Sequence, residues 1–186
     1  MIAVNKCNTF TVLPGELYFG SDYSRVKTLL GSCVALTVWH PKLKVGGMCH
    51  YLLGESKQKV VRRESINAAG DFRFAENALF EMNLLMCRLA NPQEFQIGLF
   101  GGGNMFAQNN PLSIGIENIN YARQWLMLKK LVPVHVDVGG SVSRSLNINI
   151  ATGEIHLKHY QMDTQIEHPF WRGHQEARVL PTQWVG

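Results

Sequence analysis

At 186 residues the chain has the length of one domain with a sizeable core, or of one domain with a short appendage. It is 46% hydrophobic and only 17% charged, which excludes wholesale disorder. The net charge of +4 is spread out, and its densest cluster, Lys57 to Arg63, is too short for a nucleic-acid stripe; the balance suits an acidic protein partner.

Residues 9–19, TFTVLPGELYF, read as a strand, a Pro-Gly turn and the start of a second strand. Residues 25–40, RVKTLLGSCVALTVWH, read as strand, tight bend and strand, with Gly31-Ser32-Cys33 at the bend and His40-Pro41 as the stop. Residues 44–53, KVGGMCHYLL, form another strand. Residues 54–70 are polar, without period, and read as a surface loop. Asp71 is the expected N-cap of a helix from Phe72 to about Ala90, with Ala75, Ala78, Leu79, Met82, Leu85, Met86 and Leu89 on one face.

After Asn91-Pro92, FQIGLFG (95–101) is a short buried strand running into Gly101-Gly102-Gly103. A second helix is expected over about Ile116 to Leu131. In VPVHVDV (132–138) the four valines alternate onto one strand face. Residues 145–160 read as a hairpin turning at Thr152-Gly153. Many strands and two helices in irregular order predict an α+β fold, a layered sheet core with helices packed on the outside.

Four cysteines, Cys7, Cys33, Cys49 and Cys87, show no C-x-x-C spacing. The first residues lack a long apolar signal-like stretch, and no segment approaches the roughly 20 apolar residues that span a bilayer. The expected location is cytoplasmic, where thiols stay reduced and no direct membrane insertion is needed.

Gly31 and Ser32 allow a sharp bend that exposes the Cys33 thiol and turns backbone N–H groups toward a developing oxyanion. By itself a free cysteine is more often a buried small hydrophobe. If residues 34–40 and 44–50 are antiparallel neighbours, His50 lies near Cys33, and an imidazole beside a thiol can activate it near neutral pH. A zinc site on Cys33, Cys49 and His50 is disfavoured, because residues 49 and 50 of a strand point to opposite faces. Cys49 and Cys87 are expected in the core. GLFGGGNMF lacks the Gly-Lys-Ser/Thr ending of a phosphate loop, so its glycines are read as close backbone packing. Asp137, Gly139, Gly140 and Arg144 suggest a turn held by an ion pair.

TLLGSCVALTVWHP followed by VGGMCH resembles the chemoreceptor glutamine deamidase family, CheD. FRFAENALFEMN resembles that family's Arg-Tyr-Ala-x-Asn-Ala helix, with Phe74 in place of tyrosine. IGLFGGGNMF, IGIEN (114–118) and DVGGSVSRS resemble its later segments, in family order, over about residues 8–158. The resemblance implies a fold related to deamidating toxin catalytic domains. It also implies a catalytic Cys33 and His50 with a nearby threonine, carried over to Thr28. Some members have that threonine one place earlier, and a one-residue shift in a strand reverses the face. Gly31 and Ser32, read from the bend itself, are the oxyanion or site-shaping positions.

The implied activity is cofactor-free hydrolysis of receptor glutamine side chains to glutamate, with glutamyl methyl esters as further substrates. The implied partners are the cytoplasmic domains of chemotaxis receptors and a CheC-type phosphatase. The expected domain spans residues 1–160, with a tail of 161–186. Rival readings are a non-catalytic binding partner of that phosphatase, a cysteine peptidase or transglutaminase-like enzyme, and a zinc protein.

Overall fold

The computed structural model describes residues 8–55, 70–104 and 114–161. Two sheets and two helices form three layers, the α+β architecture expected. The first sheet has the order β1 (Thr9–Thr11), β3 (Arg25–Leu30), β8 (Val142–Asn149), β9 (Ile155–Gln161). The second has the order β2 (Glu16–Gly20), β5 (Val45–Tyr51), β4 (Val34–His40), β6 (Gln96–Gly101), β7 (His135–Val138). Helices α1 (Ala75–Leu89) and α2 (Ile114–Leu128) cover the second sheet's outer face.

Strand parity sorts the side chains into two cores. Val34, Leu36, Val38, Cys49 and Tyr51 face the helices. Cys33, Ala35, Trp39, Met48 and Phe100 face the first sheet, meeting Val26, Leu30, Leu146 and Ile148. Every residue of β4 is buried because both faces of this central strand are covered. In β3 burial alternates strictly, with Val26, Thr28 and Leu30 turned inward and Arg25, Lys27 and Leu29 outward.

The four residues from Pro41 to Lys44 close β4 onto β5, and the antiparallel register pairs Ala35 with His50. Trp39 anchors the far end of the inter-sheet layer. Its indole N–H donates to the Ile150 carbonyl at 2.7 Å. The 145–160 hairpin and the strand–bend–strand of residues 25–40 form as the sequence implies.

Several expectations are corrected. Helix α1 begins at Ala75 after an extended Phe74, not at Phe72, and Asp71 does not cap it. The Asp71 carboxylate is taken by Arg73, with contacts of 2.6–3.1 Å. The Leu53 and Gly54 carbonyls accept from the N–H groups of Ala75 and Glu76 instead, so preceding backbone satisfies the first turn. Leu89 and Cys87 are exposed rather than in the core, because only the stripe Ala75, Ala78, Leu79, Met82, Leu85, Met86 meets the sheet. The second helix starts and ends earlier than expected, at Ile114 and Leu128.

The valine alternation of 132–138 yields only the short edge strand β7. Val132, Val134 and Val136 remain largely exposed, since β7 borders the sheet and no described element covers them. Most of the 54–70 loop, with the Lys57–Arg63 cluster, lies outside the described residues, as do Cys7 and the tail from residue 162.

Gly101-Gly102 runs beside the Cys33 bend with φ of 104° and 66°. A Cβ on Gly102 would collide with Ile119 and lie 2.9 Å from the Gly115 carbonyl oxygen. Gly139, at φ 78°, has nothing within 4 Å of such a Cβ. Gly139→Ala should therefore lose only the left-handed backbone cost, about 1–2 kcal/mol. Gly102→Ala adds overpacking and should lose roughly 2–5 kcal/mol. Denaturant unfolding of both variants checks this, and equal losses would contradict the packing assigned to Gly102.

Candidate active site

Cys33 sits one residue before β4, and His50 lies on the neighbouring β5. The pairing of Ala35 with His50 puts Cys33 on the diagonal position of the same face. Diagonal neighbours in an antiparallel pair have Cα atoms about 7–8 Å apart, within reach of a long side chain such as imidazole. Both residues belong to the inter-sheet layer. Cys33 retains 9% of its surface accessible, while His50 is fully buried.

Thr28 approaches from the opposite sheet. The inward parity of β3 brings its hydroxyl to 2.8 Å from His50 Nδ1 and 2.6 Å from the Val12 carbonyl. A carbonyl can only accept, so the single hydroxyl hydrogen goes to Val12. The Thr28 oxygen is then an acceptor toward His50, and Nδ1 must carry the ring hydrogen. In the neutral ring Nε2 is left with its lone pair. Among the described residues that Nε2 has no hydrogen-bond partner.

Burial sets the charge state. It pushes the Cys33 thiol up to about 11 and His50 down to about 4, the latter only partly offset by the Val12 carbonyl. The resting pair is therefore a neutral thiol and a neutral imidazole. Desolvation disfavours both charges. Cys49 points into the helix-side core, as parity required. Among the described residues no group of three or more His, Cys, Asp or Glu could hold a metal ion.

The bend itself is held from outside. Gly103 N–H donates to the Gly31 carbonyl at 2.8 Å, and Gly102 N–H to the Cys33 carbonyl at 2.7 Å. The Ser32 carbonyl between them accepts from the side chain of Asn118 at 3.3 Å. Asn118 closes the IGIEN segment noted for its family resemblance, but is not among the site residues named from the sequence. Farther out, Gly139 N–H donates to Gly101 and Asn104 N–H to Gly140. Arg144 braces that turn through Asp137 at 2.7 Å and the Gly139 carbonyl at 2.7 Å, the ion pair anticipated there. Burial raises the Asp137 carboxyl, but the bonds from Arg144 and His159 outweigh it and hold the group below its usual range.

Fold and site define a two-sheet α+β protein with a cysteine, a histidine and a threonine gathered between the sheets. Residues 53–159, more than half of the sequence, match the family model for CheD chemotactic sensory transduction. The chain belongs to the CheD family. It is 40% identical over 148 residues to a probable chemoreceptor glutamine deamidase CheD 3 of Dechloromonas aromatica, covering 77% of this chain and 83% of that protein. A probable chemoreceptor glutamine deamidase CheD 1 of Chromobacterium violaceum is 36% identical, covering 80% of this chain and 76% of its own length. A Pseudomonas syringae pv. tomato relative, also a probable chemoreceptor glutamine deamidase CheD, is 35% identical, covering 81% and 88%. No described helix is long and apolar enough to cross a membrane.

The lowered His50 value makes a stability prediction with a definite sign. The unfolded chain takes up a proton near pH 6.5, whereas folded His50 resists until about pH 4. Acidification through that window therefore favours unfolding. Between pH 7 and pH 4 the wild type should lose about 3 kcal/mol more than His50→Leu in denaturant unfolding. Parallel pH profiles for the two proteins would contradict a buried, neutral His50.

Proposed function

We propose that this chain hydrolyses glutamine side-chain amides of chemotaxis receptors to glutamate, with Cys33 as nucleophile and His50 as general base and acid. The observation that supports this most is the Thr28–His50 contact. It fixes the tautomer and leaves a free lone pair on the face that carries Cys33. The printed names of the relatives supply the substrate class.

In this reading the receptor glutamine reaches the partly accessible Cys33 at the rim of the inter-sheet layer. His50 Nε2 takes the thiol proton as sulfur attacks the amide carbon, so no free thiolate has to persist in a buried site. The carbonyl π electrons move to oxygen, and the backbone N–H groups around Ser32 and Cys33 hold the oxyanion. On collapse the C–N bond breaks and ammonia leaves with the proton from His50. Water then attacks the thioester, giving its proton to His50, and the thiol is released. The products are glutamate and ammonia, and no cofactor takes part.

A glutamyl methyl ester would enter the same sequence, with methanol leaving in place of ammonia. Thr28 acts here through His50, by holding Nδ1–H. The protein works in the cytoplasm on the receptors' cytoplasmic domains, and its membership of the family supports a CheC-type phosphatase as a second partner. The reading assigns the deamidase function to residues 1–160 and leaves 161–186 as an accessory tail.

Peptide mass spectrometry of a chemoreceptor cytoplasmic fragment tests this. Deamidation adds about 1 Da at a glutamine without cleavage or crosslinking, the signature of hydrolysis through a covalent intermediate. Cys33→Ala should abolish the gain, and His50→Ala should slow it by roughly 10²–10⁴-fold. Thr28→Val should fall between wild type and His50→Ala. A folded Cys33→Ala that still deamidates would remove Cys33 from the mechanism. A wild type that binds the fragment without the mass gain would favour the binding-module reading.

A further inference from the structure

Asn118 is fully buried on α2, 85 residues from Cys33 in sequence. Its carboxamide donates to two carbonyls that belong to different strands of the site. One is Ser32, directly before the nucleophile, at 3.3 Å; the other is Leu52, two residues past His50, at 2.7 Å. Both partners are acceptors, so the nitrogen end must face them. The backbone carbonyl of Asn118 accepts from the Tyr51 hydroxyl at 3.0 Å, which fastens this point of α2 to the end of β5.

The peptide geometry gives this contact a consequence. A trans peptide is planar, and its C=O and N–H point in opposite directions. Holding the Ser32 carbonyl toward α2 therefore turns the Cys33 N–H the other way. The flanking carbonyls of Gly31 and Cys33 are already held by Gly103 and Gly102. Asn118 is the one side chain in this set, and it controls the middle plane. No described backbone acceptor takes the Cys33 N–H. An oxyanion formed on the carbon attacked by Cys33 lies within reach of that N–H, which belongs to the same residue.

We infer that Asn118 is a positioning residue for the hydrolysis, aiming the Cys33 backbone N–H at the oxyanion and fixing the bend relative to the end of β5. The inference rests on the Cys33–His50 reading of the site. It extends that reading by separating two tasks: His50 moves the proton, and Asn118 orients the donor that receives developing negative charge.

The two tasks respond differently to two reactions of the same sulfur. Alkylation of Cys33 by iodoacetamide requires the thiol to lose its proton but forms no oxyanion. Deamidation requires both. Full-length Asn118→Ala, shown folded by circular dichroism, should lose about 10²-fold in kcat for deamidation of the receptor fragment. Its KM should stay within about threefold, because the interaction is realised in the transition state. The Cys33 alkylation rate, read by peptide mass spectrometry, should also stay within about threefold of wild type.

A merely structural role would lower the folded fraction and reduce both reactions together. Asn118→Ser keeps one hydroxyl donor and should lose about tenfold in kcat with alkylation retained; it serves as the decisive variant if the alanine protein does not fold. A folded variant with wild-type kcat, or one in which kcat and alkylation fall in parallel, overturns the role of Asn118. Cys33→Ala is run alongside. If it still deamidates, the reading of the site falls and this inference with it; if it is inactive and Asn118→Ala is unimpaired, only the inference falls.

Discussion

A hydroxyl group has one hydrogen to give, and Thr28 gives its to the Val12 carbonyl. What remains on Thr28 is a lone pair, directed at His50 Nδ1 across the gap between the two sheets. The Arg144–Asp137 pair joins the layers farther out, whereas this contact joins them in the buried interior. It also decides which nitrogen of the imidazole is basic. The architecture around it works toward the same end. The β3 register turns Thr28 inward, the β4–β5 pairing sets His50 beside the Cys33 position, and both cores exclude water from the ring.

Burial has an electrostatic consequence that shapes the proposed chemistry. Burial that pushes the Cys33 thiol up and His50 down favours the neutral pair over a thiolate–imidazolium pair. In the proposed hydrolysis, proton transfer accompanies attack instead of preceding it. Such a thiol is less reactive until an electrophilic carbon is held against it. Charge appears on the substrate oxygen during the reaction. The rigid bend at Gly31–Cys33, with its carbonyls held by Gly103, Asn118 and Gly102, is the part of the structure suited to receive it.

Local patterns were readable from the sequence where a single element determines them. The small residues of Gly31-Ser32-Cys33 imposed the bend, the short connection after His40-Pro41 imposed the antiparallel pair, and the 3.6 spacing from Ala75 to Met86 gave the helix. Alternation tells which side chains share a face but not whether anything covers that face. The valines of 132–138 were therefore legible as a strand pattern and misleading as a core. The same limit applies to Leu89, which continues the apolar stripe beyond the region that the sheet covers, while Cys87 lies off that stripe. Asp71 had cap chemistry, but Arg73 lay close enough to take its carboxylate. The Thr28–His50 contact and the Asn118 bridge depend on the approach of separate layers, which no local period encodes.

Nitrogen NMR of the ¹⁵N-histidine-labelled protein reads the tautomer of His50 most directly. At neutral pH a protonated, pyrrole-type Nδ1 and an unprotonated, pyridine-type Nε2 are expected. Both signals should persist on acidification until the ring titrates near pH 4. In Thr28→Val the preference for that tautomer should weaken. An imidazolium at neutral pH, or a hydrogen on Nε2 with a bare Nδ1, would contradict the Thr28–His50 arrangement from which the proposed chemistry starts.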